Sequence, residues 1–189
     1  MPSRERLPPV AADKMTAEQR KAAEAFQSTR GYPMLGPFLV MLRSPEVMLR
    51  AQAMGDYLRY RNVLPRRVSE LVILVTARAW TQQFEWAHHY KYAMQAGLAE
   101  HIAQAISEGR RPLDMQADET AAYDFSIELH HNKSVSDTTY ARALELFGEQ
   151  GIIDLTGING YYSMLAMMMN VAGTPNDTHD VKPLEPFPN

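Results

Sequence analysis

"LPRRVSELVILVTARAW" (64–80) and "TQQFEWAHHYKYAMQAG" (81–97), read together, decide the fold. Leu64-Pro65 opens the first stretch, and Leu71, Leu74, Val75 and Arg78 then share one helical face. "ELVILVTARAW" is apolar nearly all round, which is the pattern of a helix buried on most sides. The second stretch keeps helical spacing and ends at Gly97, a residue type suited to a helix C-terminus. Nowhere does the chain sustain a two-residue alternation bounded by turn residues. The sequence therefore predicts an all-α protein.

Outward from this pair the helix signals continue. "TAEQ" at Thr16 is a capping box, with Gln19 able to reach back to the Thr16 amide. "GYPMLGPF" (31–38) reads as a loop from its glycines and prolines. Ser44-Pro45-Glu46 supplies an N-cap, a first-turn proline and an acid for a helix reaching Tyr60. Further helices are expected over 98–109, from Asp118 to His131, from Ser136 to Phe147, and in the apolar stretch 151–173. This gives one helical domain, 16–173, between an extended arm (1–15) and a Pro-rich tail (174–189) expected to lie on a surface, its own or a partner's.

The composition narrows the function classes. At 189 residues the chain can bury a sizeable core. A net charge of -3 offers no face for nucleic acid and no polybasic membrane anchor. No apolar run approaches the ~18 residues of a membrane span. The first residues lack the apolar core of a secretory leader, so a cytoplasmic protein is expected. There is no cysteine, which excludes disulfides, thiolate metal sites and thiol nucleophiles from this chain. The 12 methionines suit an irregular helical core.

The chemistry concentrates in 81–97. At about 100° per residue, Glu85, His89 and Tyr92 fall on one helical stripe, with His88 about 60° to its side. A polar stripe on an apolar helix must find partners or face a cavity. Glu70 lies on the preceding helix, inside the apolar run. If the helices fold back on each other, Glu70, Glu85 and His89 converge. One carboxyl raised by burial can then hold a proton while the other orients the imidazole. The bland readings are an i, i+4 pair on a solvated face for Glu85 and His89, and an exposed first-turn acid for Glu70.

These residues carry a resemblance. The pattern Leu64, Arg67, Glu70, Leu74, Glu85-Trp86, His89, Ala93, Gly97-Leu98 is similar to the carboxymuconolactone decarboxylase family, which includes the alkylhydroperoxidase D-type proteins. The resemblance extends over about 35–172 and implies a compact all-α fold that assembles into homo-oligomers. In the peroxidase branch it implies a CxxC pair, but here Gln82 and Glu85 stand at the two thiol positions, with Glu70 and His89 at the family's Glu and His. Thiol-mediated peroxide reduction is thus unavailable. The decarboxylase branch implies acid–base chemistry without metal or cofactor on a small anionic lactone or carboxylic acid from aromatic-compound breakdown. The resulting expectation makes Glu70, Glu85 and His89 catalytic. His88, Arg67, Arg78, Trp86 and Tyr92 are the candidate substrate contacts, with Arg43 a further possible anchor.

Two other readings stand beside it. Glu85-x-x-His88 and Glu128-x-x-His131 each match the ExxH element of a carboxylate-bridged metal site. The chain is alternatively an oligomeric binding or structural protein that keeps the fold without redox chemistry. Asn159, Tyr161 and Tyr162 in the last helix are expected at a pocket wall or a helix contact.

Overall fold

The computed structural model describes residues 4–176 and 180–186. Parts of the arm and the tail expected at 1–15 and 174–189 therefore lie outside the described residues. Among those described there is no strand. The order is a 3-10 turn (Ala12–Lys14), then α1 (Ala17–Arg30), α2 (Pro37–Met41), α3 (Pro45–Tyr60), α4 (Arg66–Ala79), α5 (Gln83–Gln95), α6 (Glu100–Ser107), α7 (Ala117–Asn132) and α8 (Asp137–Ala172). None of the described helices is long and apolar enough to cross a membrane.

The local signals explain most boundaries. Thr16 Oγ1 accepts from the Gln19 amide at 3.2 Å, and Gln19 Oε1 accepts from the Thr16 amide at 3.0 Å, closing the expected capping box. Gly31 ends α1 with φ +72°, where a side chain would be strained. The 31–38 segment is not all loop, because Pro37 starts the short α2. The two helices expected over 136–173 run as one element, α8, broken at Gly148 (φ 66°, ψ 179°).

α4 is the central element, with Val68 to Arg78 buried without interruption. It packs against α5, α6, α7 and α8, while α1, α2, α3 and the second half of α8 close the other side. The described parts of the arm and the tail pack on the chain's own body. The Arg6 and Leu7 amides donate to Ala172 O at 2.6 and 3.3 Å, and Arg43 Nη2 donates to Pro8 O at 2.5 Å. Arg43 thus holds the arm and is no substrate anchor. At the other end Val181 and Leu184 are buried in the core, and Gln83 makes a two-way amide pair with Leu184.

Candidate active site

The α4–α5 connection sets the site. Thr81 takes φ +46°, an uncommon conformation for a β-branched residue. Gln82 Nε2 donates to Asn170 Oδ1 at 3.1 Å, and Asn170 Nδ2 donates to Trp80 O at 2.9 Å, so α8 holds the turn. Gln82 Oε1 in turn accepts from the Glu85 amide at 3.1 Å. The residue at the first thiol position of the resemblance is therefore the N-cap of α5, and it fixes where Glu85 begins its reach.

Antiparallel packing of α4 and α5 brings Glu70 and His89 together. His89 Nδ1 lies 2.7 Å from Glu70 Oε2, and both residues are buried. With Nδ1–H donating to the carboxylate, Nε2 is the acceptor of the neutral ring. Burial holds the His89 pKa below its ordinary value, against the opposing effect of the hydrogen bond that His89 gives to Glu70. The edge of Tyr162 meets His89 at 4.9 Å between ring centres.

Glu85 does not join this pair by a hydrogen bond. It is 3% exposed, and neither carboxyl oxygen has a hydrogen-bond partner. Burial pushes its pKa well above 4.5, because the charged form would lose its water without gaining a donor. The neutral acid is the form this environment favours. The bland reading of an exposed Glu85–His89 pair is excluded by that burial.

Glu85 and His89 line a cavity together with Arg30, Phe38, Gly55, Arg59, Phe84, His88, Tyr161, Tyr162, Leu165 and Met169, among others. The cavity has an open volume of about 50 Å3, room for a few waters or a small ring. His88 lies against Phe84, with ring planes 11° apart and centres 5.7 Å apart. Burial lowers its pKa to about 3, helped by the charges of Arg59 and Lys91 and by His89, so it is a neutral wall of the cavity. Burial also raises the Tyr161 and Tyr162 pKa values, keeping both as hydroxyl donors.

The other expected contacts stand elsewhere, each for a visible reason. Arg67 forms ion pairs with Asp118, at 2.8 Å, and with Glu119, tying α4 to the start of α7. Arg78 donates to Glu185 O at 2.6 Å and anchors the tail. Trp86 is a core residue. Tyr92 sits behind the cavity, its ring 5.2 Å from His88 and beneath the Arg59 guanidinium at 4.6 Å. Asn159 donates to Ser126 Oγ and Leu155 O in a separate buried network. Glu128 accepts from the Ser136 amide and from Thr139 Oγ1, capping α8, so the second ExxH copy is a helix cap. Among the described residues no three His, Asp or Glu side chains gather as a metal would require.

Residues that sequence reasoning missed are Arg30, Gly55, Arg59 and Phe84. Gly55 and Arg59 share a face of α3 at i, i+4 spacing, which was the available signal. A Cβ at Gly55 would lie 2.3 Å from the Tyr161 hydroxyl. Gly55→Ala is accordingly expected to push Tyr161 into the cavity at an overpacking cost of about 1–3 kcal/mol. Helix propensity offsets up to about 1 kcal/mol of that. Thermal unfolding should show a Tm lowered by roughly 2–8 °C, and a crystal structure of the variant a filled cavity.

Comparisons with known proteins bear on the fold. Residues 45–126, from α3 into α7, match the sequence profile of the carboxymuconolactone decarboxylase family. That match spans 82 of the 189 residues, and it is this segment that is similar to the family. Among solved structures, a peroxidase-related protein from Ralstonia eutropha JMP134 with an alkylhydroperoxidase AhpD core superposes with TM-score 0.72. It is 16% identical, over 91% of this chain and 92% of that one. The debrominase Bmp8 superposes with TM-score 0.70 at 11% identity, over 90% of this chain and 91% of that one. It has been solved both without ligand and, as a cysteine-to-alanine variant, with 2,3,4-tribromopyrrole. At these identities the likeness is one of fold. No curated protein sequence matches the chain. The family segment contains Arg59, Glu70, Glu85 and His89, whereas Arg30, Tyr161 and Tyr162 come from outside it. The chain therefore closes its cavity with helices that flank the matched segment.

Proposed function

We propose that the protein is an acid–base enzyme that decarboxylates, or carries out a related proton transfer on, a small anionic lactone or carboxylic acid. One observation carries this reading: Glu85 is buried at the cavity wall with both carboxyl oxygens unpartnered. A structural carboxylate would have acquired donors; an acid that must give its proton to a carbon needs to stay neutral and unpaired.

The steps follow from the chain's own groups. Loss of carbon dioxide leaves its electron pair on carbon, delocalised toward the substrate carbonyl. The Tyr162 hydroxyl is a suitable donor to that oxygen. Glu85 gives its proton to the carbon and becomes a carboxylate. A proton from water, relayed through His89 Nε2, restores the acid, while Glu70 holds the imidazole in place. One proton is consumed and one carbon dioxide is released per turnover, and the scheme requires no metal or organic cofactor.

Screening small unsaturated acids and carboxylated lactones in heavy water tests this. The expected result is deuterium at the carbon that lost its carboxyl group, without added cofactor. A folded protein that turns over none of them would favour the alternative, a binding or structural role for the same fold.

Self-association belongs to the same reading. Ile153, Gly160, Met167 and Val171 are exposed along α8, and no charged residue is exposed between the first and the last of them. A second copy presenting the same apolar stripe is the proposed partner. Ile153 is 69% exposed, so Ile153→Glu should leave the fold intact. Light scattering is expected to show an oligomer for the parent chain and a smaller species for the variant.

A further inference from the structure

The cations around the cavity are paired except at one place. Arg30 reaches in from the end of α1, but its Nη2 is 2.8 Å from Asp56 Oδ1 and its Nη1 donates to the Tyr32 hydroxyl at 2.9 Å. Its guanidinium also lies over the Phe38 ring at 4.8 Å. Glu70 accepts a hydrogen bond from His89, and its charge is felt by Arg59 although the two form no ion pair. Lys91 is outside, at 2.7 Å from Asp180. Arg59 differs from these. Among the described residues it forms no ion pair, it lies over Tyr92 and Tyr60, and its buried Nε has no hydrogen-bond partner. It lines the same cavity as Glu85.

We infer that Arg59 is the anchor for one carboxylate of the ligand, and that a second carboxylate, where the substrate has one, is left without a cation. The inference rests on the acid–base reading of this cavity and refines its substrate class. A planar guanidinium with an idle N–H suits a carboxylate geometrically. Apart from Arg59 the cavity lining holds one cation, Arg30, which Asp56 already pairs, so a second carboxylate finds no free positive charge there. A dry, uncompensated carboxylate is raised in energy, and its departure as carbon dioxide relieves that cost. The ligand class is thus a small ring acid retaining one carboxylate. The dianion is the species under strain, and the monoanion left after one decarboxylation is the species that fits.

Binding measurements decide this without any turnover. Furan-2-carboxylate, furan-2-carboxamide and furan-2,5-dicarboxylate share one small ring and differ in charge. Isothermal titration at neutral pH on the full chain is expected to rank the monoanion tightest. The amide should bind roughly 10–100-fold more weakly, as for the loss of a charge-assisted hydrogen bond. The dianion should also bind more weakly than the monoanion. In Arg59→Gln, confirmed folded by thermal unfolding, the preference for carboxylate over amide should disappear. An amide that binds as well as the acid, or a preference that survives Arg59→Gln, overturns the anchor. A dianion that binds as tightly as the monoanion overturns the uncompensated second carboxylate. If the ranking holds but no acid is turned over, the anchor stands and the decarboxylase reading falls.

Discussion

Glu85→Gln is expected to lower turnover by about 10²–10⁴-fold, the usual contribution of a positioned general acid. The amide has the same shape but no proton to give. Its effect on stability has a definite sign with pH. In the unfolded chain Glu85 titrates near 4.5, whereas burial raises its pKa in the folded protein. Below 4.5 both states hold the proton, so the carboxyl and the amide should be almost equally stable. As pH rises past 4.5 the unfolded chain releases its proton before the folded one does. The parent protein therefore loses stability that the variant keeps, up to the folded-state pKa. Thermal unfolding from pH 4 to 9 should show the variant's Tm drawing level with the parent's at the acid end and above it at the alkaline end. A variant that is catalytically dead and also less stable at every pH would mean that Glu85 has a partner in the fold.

His89→Leu is expected to have the largest effect on stability. It strands Glu70, 2% exposed, without its hydrogen bond. Leaving a buried carboxylate without its donor costs about 3–5 kcal/mol. For a chain of this length that corresponds to a Tm lower by roughly 6–20 °C. Replacing both residues with leucine should recover much of the loss, since a well-packed apolar pair is often as stable as the polar one. Urea unfolding of the two single variants and the double variant measures the coupling directly. The double variant should still be inactive, which separates the pair's chemistry from its contribution to the fold.

The all-α architecture was legible because helix ends are written locally. Thr16 with Gln19, Ser44-Pro45, and Gly31 or Gly97 each mark an end within a few residues. The central polar pair was legible for a related reason. Glu70 and His89 sit on consecutive helices joined by a tight turn, so their meeting depends on one hairpin. The arginines were not legible. Arg67 finds its partner 51 positions downstream at Asp118, and Arg78 meets the tail at Glu185, 107 positions away. A cationic side chain near a site in sequence says nothing about which distant acid or carbonyl engages it. The converse holds for Arg59, which lines the cavity from α3, beside Gly55 and Tyr161 of α8, although it is distant in sequence from Glu85 and His89. The ExxH repeat failed as a metal signal because Glu128 answers a nearer demand, the open amides at the start of α8.

The protonation state of Glu85 at neutral pH is the most direct measurement. Infrared difference spectroscopy between the parent chain and Glu85→Gln isolates the stretch of that one carboxyl group. The expected result is the band of a protonated carboxyl at pH 7, vanishing in the variant and converting to carboxylate only under alkaline conditions. A carboxylate band at pH 7 would contradict the assignment of Glu85 as the proton donor.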